Sequence, residues 1–152
     1  MSNEIEKRIN DKLVKAYRDI LTIEEQALKT GPFSDLSIKE IHTINAISLH
    51  QHKTSSEVSR ELSVRPGTLT ATIHNLVRKG YVQRAQGSTD RRIVRLGLTR
   101  KGRCVYRLHA EFHNKMVTSF LNGFSTSEVS LIERAVDNLI EFLERDRRLV
   151  AN

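Results

Sequence analysis

Two short stretches of this sequence carry residues whose types and spacing suit chemistry with a polyanion. Asp90, Arg91 and Arg92 stand in a polar turn between two apolar runs. A carboxylate beside two guanidinium groups can orient one of them by charge-assisted hydrogen bonds and leave the other free. An arginine at a hairpin tip suits the narrow minor groove of a DNA duplex, where the negative potential is strongest. Read as structure alone, the trio is a turn-stabilising ion pair worth ~0–1 kcal/mol. Upstream, Thr68, Thr70, Ala71, His74 and Asn75 share the polar side of a short helical pattern that buries Leu69, Ile73, Leu76 and Val77. Threonine and alanine methyls can meet thymine methyls in a major groove, and an asparagine amide can make paired bonds to a base edge. Arg78 and Lys79 at the end of this helix are placed to reach phosphates. Arg65 before it and Thr54 at the start of the preceding helix complete the set.

The charge distribution supports that reading. Between Arg60 and Arg103 stand eleven lysines and arginines opposed only by Glu61 and Asp90, a window of +9 in a chain whose total is +7. The rest of the chain is therefore −2. A basic middle between balanced ends is the footprint of a segment that binds nucleic acid; on charge alone, a solvated basic face is the competing reading.

A second constellation is histidine-based. His109 and His113 lie one helical turn apart, and His42 and Glu24 fall in helical stretches that should pack nearby. Such a set can hold zinc, although a histidine pair at this spacing is more often structural or solvated. The run from His109 to His113 is not a zinc-protease motif, because its acid is displaced by one position. No phosphate-cradling glycine loop or Ser/His/Asp arrangement stands out, so an enzyme is not expected. The single cysteine, Cys104, rules out an internal disulfide. That fits a reducing compartment. With no signal peptide and no long apolar run, the expected location is cytoplasmic, away from membranes.

The elements that must position these residues are legible from periodicity and caps. Apolar residues from Ile5 to Ala27 form the stripe of a long helix, broken at Gly31-Pro32. Ser37 with Glu40, Thr54 with Glu57 and Ser125 with Glu128 are capping boxes. They open helices at about 37–50, 54–62 and 125–146. A further helix is predicted from Pro66 to Lys79, stopped by Gly80. The period then changes, predicting strands at Tyr81–Ala85 and Ile93–Leu98 joined by a polar Gln86–Asp90 turn. Thr99 caps another long helix that runs toward Gly123. The expectation is a mainly α fold with a small β-hairpin wing: a winged helix-turn-helix embedded in an all-helical dimerisation region. It is read as a single domain over 1–152, with residues 37–98 as the DNA-binding lobe. Residues 1–30 and 100–149 are the dimerisation and effector helices.

Asp90-Arg91-Arg92 followed by Leu98-Thr99-Arg100-Lys101-Gly102 resembles the wing-to-helix signature of the MarR family of winged-helix regulators. Ser56-Glu57-Val58-Ser59, Thr68-Leu69-Thr70 and Leu76 through Val82 are similar to that family's helix-turn-helix. Arg65 departs from the pattern, standing where the family usually has a small capping residue. The resemblance implies a two-fold homodimer on a near-palindromic operator of double-stranded DNA, with Arg92 in the minor groove and Asp90 holding it. Segments outside that signature (Ile23-Glu24-Glu25, Ser37 through Ile44, and Arg107-Leu108-His109 with His113, Met116 and Val117) look like members of the family that repress fatty acid synthesis genes. That resemblance implies long-chain acyl-acyl carrier protein as corepressor. The effector pocket is then expected among Ile20, Ile23, Phe33, Ile41, His42, His109, Phe112, His113 and Met116, with Arg103 and Arg107 toward the acidic carrier. The alternative is a zinc-responsive repressor using Glu24, His42, His109 and His113.

Overall fold

The computed structural model describes residues 2–50, 52–87 and 89–150. They fold as α1 (Ser2–Thr30), α2 (Ile38–Ile47), α3 (Ser55–Leu62), α4 (Pro66–Arg78), β1 (Val82–Gln86), β2 (Val94–Leu98), α5 (Arg100–Phe120) and α6 (Thr126–Val150). The chain divides into two compact units, residues 1–110 and 111–152.

In the first unit, both capping boxes form. Ser37 and Thr54 each accept from the backbone N–H three residues on, and Glu40 and Glu57 return the bond to the cap. The expected end of α2 is corrected: the helix stops at Ile47, and Ser48 takes a positive φ of 66°. Ser63 ends α3 in the left-handed region. The turn is then closed by Val64 N–H on the Ser59 carbonyl at 3.1 Å and by Ser59 Oγ on the Val64 carbonyl at 2.7 Å. Pro66 opens α4 with the φ its ring fixes, where a missing N–H costs nothing.

The hairpin is antiparallel, pairing Val82 with Leu98 and Gln86 with Val94. Both strands begin one residue later than their periodicity suggests, and Gln86 belongs to the strand, not to the turn. A third segment joins the sheet at its base. Leu96 N–H bonds the Lys53 carbonyl at 2.8 Å, Arg95 donates to the His52 carbonyl at 2.8 Å, and Thr54 bridges to Arg95. Lys53 in turn donates to the Ala46 carbonyl at 2.7 Å and pairs with Glu61 at 2.6 Å. The wing is thereby fastened to α2 and α3.

The core of this unit gathers Ile44, Val58, Leu69, Ile73, Leu76 and Leu96, all at or below 1% exposure. Tyr81 is its largest fully buried side chain. It precedes the strand it was expected to open and acts as a pivot between α4 and β1. Its hydroxyl donates to Asp35 at 2.6 Å, Phe33 packs edge-on at 6.1 Å, and the Lys101 ammonium lies 4.2 Å from its ring centre. Burial first, and the Asp35 bond second, push the Tyr81 phenol well above its ordinary pKa. Folding thus favours the protonated phenol. The stabilisation is fully present below the unfolded value of about 10 and is lost as pH rises toward the folded value. Tyr81→Phe is expected to cost about 1 kcal/mol at neutral pH. It should also remove part of the stability loss seen above about pH 10; urea unfolding of both proteins across that range checks it.

In the second unit, α5 ends at Phe120 and α6 follows from the Ser125 cap. Ser125 N–H and then its hydroxyl hold the Glu128 carboxyl below its usual range. The helix continues to Val150, beyond the predicted end at 146.

Candidate nucleic-acid interface and sensor cleft

α4 presents the expected polar face. Thr68, Thr70, Ala71 and His74 are exposed, Asn75 is half-buried, and Leu69, Ile73 and Leu76 are buried with Val77 half-buried beneath them. The Thr70 hydroxyl donates to the Pro66 carbonyl at 2.9 Å, which leaves its oxygen lone pairs as acceptors. Asn75 Oδ1 accepts from Arg78 at 3.4 Å, a bond weak enough to exchange for a base edge. Thr72, which the sequence pattern does not single out, is buried on the inner side and donates to the Thr68 carbonyl at 3.0 Å. Arg65 occupies the cap position of α4 without a side-chain cap bond and is exposed. Thr54 spends its hydroxyl on the cap of α3.

Lys79 does not stay with Arg78 as a phosphate contact. Its ammonium binds both oxygens of the buried Glu40 carboxylate at 2.9 Å and also the Asp35 carbonyl. It therefore ties the end of α4 to the start of α2.

In the wing, Asp90 acts differently from the expectation. Its Oδ1 accepts from the backbone N–H of Arg92 at 2.9 Å, an Asx turn, and among the described residues it forms no ion pair with the Arg92 guanidinium. The Gly87 N–H to Ile93 carbonyl bond at 2.8 Å closes the loop. Arg91 and Arg92 are both exposed. The carboxylate shapes the backbone from which the two cations project.

A cleft of about 430 Å³ lies against the inner side of α4. Tyr17 and Leu21 of α1, Ile38, Lys39, His42 and Thr43 of α2, Leu62 at the end of α3, Val64 of the turn, and Leu69 and Thr72 of α4 line it. Of the residues expected in an effector pocket, His42 is there. Phe33 and Ile41 instead belong with the core, Ile20 is partly buried, and Ile23 is 47% exposed. An apolar stripe at helical spacing does not distinguish a core wall from a cleft wall. Phe112, His113 and Met116 lie in the second unit, all half-buried, with His113 edge-on to Phe112 at 5.2 Å. Arg103 donates to the Leu98 carbonyl at 3.0 Å, while Arg107 is exposed.

Beside the cleft, Glu24 is a buried carboxylate at 7% exposure. One of its oxygens is 2.9 Å from His109 Nε2 and the other is 3.5 Å from His42 Nε2, joining α1, α2 and α5. The three side chains that spacing singles out in this unit do come together. Among the described residues, Cys104 is a free, exposed thiol apart from them.

No helix among the described residues is long and apolar enough to cross a membrane. The family model described as MarR family matches residues 34–93. The chain is 25% identical over 114 residues to the transcriptional regulator PchR of Bacillus subtilis, covering 73% of this chain and 68% of that one. It resembles the solved structure of Streptococcus pneumoniae FabT in complex with DNA at 44% identity and a TM-score of 0.82, covering 91% of this chain and 97% of that one. A complex of S. aureus MepR with DNA shares the fold at 17% identity and a TM-score of 0.70, covering 86% and 93%. The helix-turn-helix, the arginine-tipped wing and a solved relative with 44% identity along nearly the whole length show that the chain belongs to the MarR family of DNA-binding transcriptional regulators.

Proposed function

We propose that this protein represses fatty acid synthesis genes, binding a near-palindromic operator as a homodimer with acyl-acyl carrier protein as corepressor. The observation that carries the reading is the cleft whose walls include Leu69 and Thr72, inner-face residues of the reading helix itself. Its volume is in the range of small-ligand sites, and its lining sets Leu21, Ile38, Leu62, Val64 and Leu69 beside the polar groups of Tyr17, Lys39, His42, Thr43 and Thr72. An occupant there touches α4 directly, so it can bias the helix toward one orientation only by binding that orientation more tightly. The likeness to FabT supports the choice of an acyl chain as that occupant.

Dimerisation follows from surfaces that a lone chain leaves wet. In α1, Ile5, Ile9 and Leu13 are each about half exposed, and in α6 so are Leu131, Ile140 and Leu143. Apolar faces of this extent on helices normally meet a partner. Two-fold pairing would set the two α4 helices about 34–36 Å apart, one turn of DNA.

Zinc sensing is the second reading, favoured by the buried Glu24 carboxylate, which meets His109 Nε2 at 2.9 Å and His42 Nε2 at 3.5 Å. Imidazole nitrogens and a carboxylate are donor types that zinc accepts. His113 follows His109 by one turn of α5. A gel shift separates the two readings. DNA selected by the protein is titrated in the presence of acylated or unacylated carrier protein, and of zinc or a chelator. Tighter binding with the acylated carrier alone is the expected result. Loss of binding on chelation, with no response to the carrier, transfers the assignment to zinc.

A further inference from the structure

The helix-turn-helix and the wing account for the DNA contacts expected so far, yet the start of α2 borders the same face. A cleft of about 400 Å³ separates α2 from α4, with Ser37, Lys39 and Glu40 on one wall and Thr68, Ala71 and Asn75 on the other. Those last three belong to the base-reading side of α4. On the α2 wall, the Glu40 carboxylate is already neutralised by Lys79 at 2.9 Å and accepts the Ser37 N–H at 2.9 Å. Lys39 is exposed, and its ammonium has no ion-pair partner among the described residues. The cleft lining therefore holds one uncompensated charge, a cation, directly beside the residues that enter the groove.

We propose that Lys39 is a DNA-backbone anchor, its ammonium neutralising a phosphate of the strand that borders the groove entered by α4. This rests on the DNA-binding assignment and extends the interface to a third helix. A lysine fits such a contact because it is a compact charge on a flexible stem, able to meet a phosphate without demanding a fixed geometry. The contact positions the protein and carries no base information. It also requires that Glu40 be paired, since an unpaired carboxylate next to Lys39 would compete with the phosphate. Lys79 removes that competitor.

The test uses the full chain and a duplex selected from random DNA by the wild-type protein, with a scrambled duplex of the same length beside it. Binding of wild type, Lys39→Ala and Lys39→Arg is measured across a salt series. Each phosphate contact contributes about 0.9 to the slope of log affinity against log salt. Lys39→Ala is expected to lower the slope by about that amount per bound protomer, weakening both duplexes alike and preserving their affinity ratio. Lys39→Arg should restore the slope. An unchanged slope for Lys39→Ala overturns the anchor, as does a loss of affinity without a change in slope, which would mean altered packing. Failure of the wild type to select any duplex would instead overturn the DNA-binding assignment beneath it.

Discussion

Replacing Gly102 by alanine is expected to destabilise the fold by about 2 kcal/mol or more, against the sign that helix propensity alone predicts. Within a helix, alanine is favoured over glycine by about 1 kcal/mol. Gly102, however, sits in the first turn of α5, pressed on the backbone of Tyr81. A Cβ there would run into the Tyr81 carbonyl oxygen, with Tyr81 C at 3.1 Å and Leu98 Cβ at 3.3 Å. Neither neighbour can yield easily. The Tyr81 carbonyl accepts the Thr99 N–H at 3.0 Å, its N–H bonds the Leu76 carbonyl at 2.9 Å, and its ring is fully buried. The clash must therefore push α5 away from the base of the wing or distort β1. Urea unfolding should show a lower midpoint for Gly102→Ala; a midpoint at or above wild type would refute the packing argument.

The second large effect is expected on DNA affinity. Arg92→Ala should weaken binding to selected DNA by about 1–3 kcal/mol, roughly five- to 150-fold, and flatten the salt dependence. The side chain is exposed at the wing tip, so its removal has little cost in stability. Asp90→Ala tests how the wing is built. Because Asp90 bonds the Arg92 backbone and not its guanidinium, the loss is that of one exposed turn bond, ~0.5–1.5 kcal/mol at most. The aspartate variant is therefore expected to lose less affinity than the arginine variant. The reverse order in a gel-shift titration would show that the wing depends on the acid more than on the cation.

Much of the architecture is legible in the sequence because local chemistry announces it. The three capping boxes and Pro66 mark helix starts, since each satisfies orphan donors with residues close in sequence. The end of α2 is not legible. Ser48 takes the positive φ that a glycine would have advertised, and no local residue type signals it. Lys79 reads as a phosphate contact beside Arg78 because sequence shows charge but not the partner, Glu40, that lies 39 residues away. Phe33 and Ile41 read as pocket walls for the same reason: spacing reports which side of a helix is apolar, not what covers it. Glu24, His42 and His109 can be grouped from sequence because each stands on a helix whose inward face is already fixed by its neighbours. Lys39 gives no such sign, because a single lysine on an exposed turn is silent until α4 is placed beside it.

The bonds from His52, Lys53 and Thr54 to β2 have a consequence for operators. They weld the wing to the segment that opens the helix-turn-helix, so the chain carries its proposed major-groove and minor-groove probes on one caliper. In the proposed complex, the distance within a half-site between the bases met by α4 and the tract met by Arg92 is then fixed by the fold. In the proposed homodimer, tolerance for different operators comes from how the two copies sit relative to each other. Natural sites should therefore vary in the spacer at their centre while keeping the layout of each arm constant.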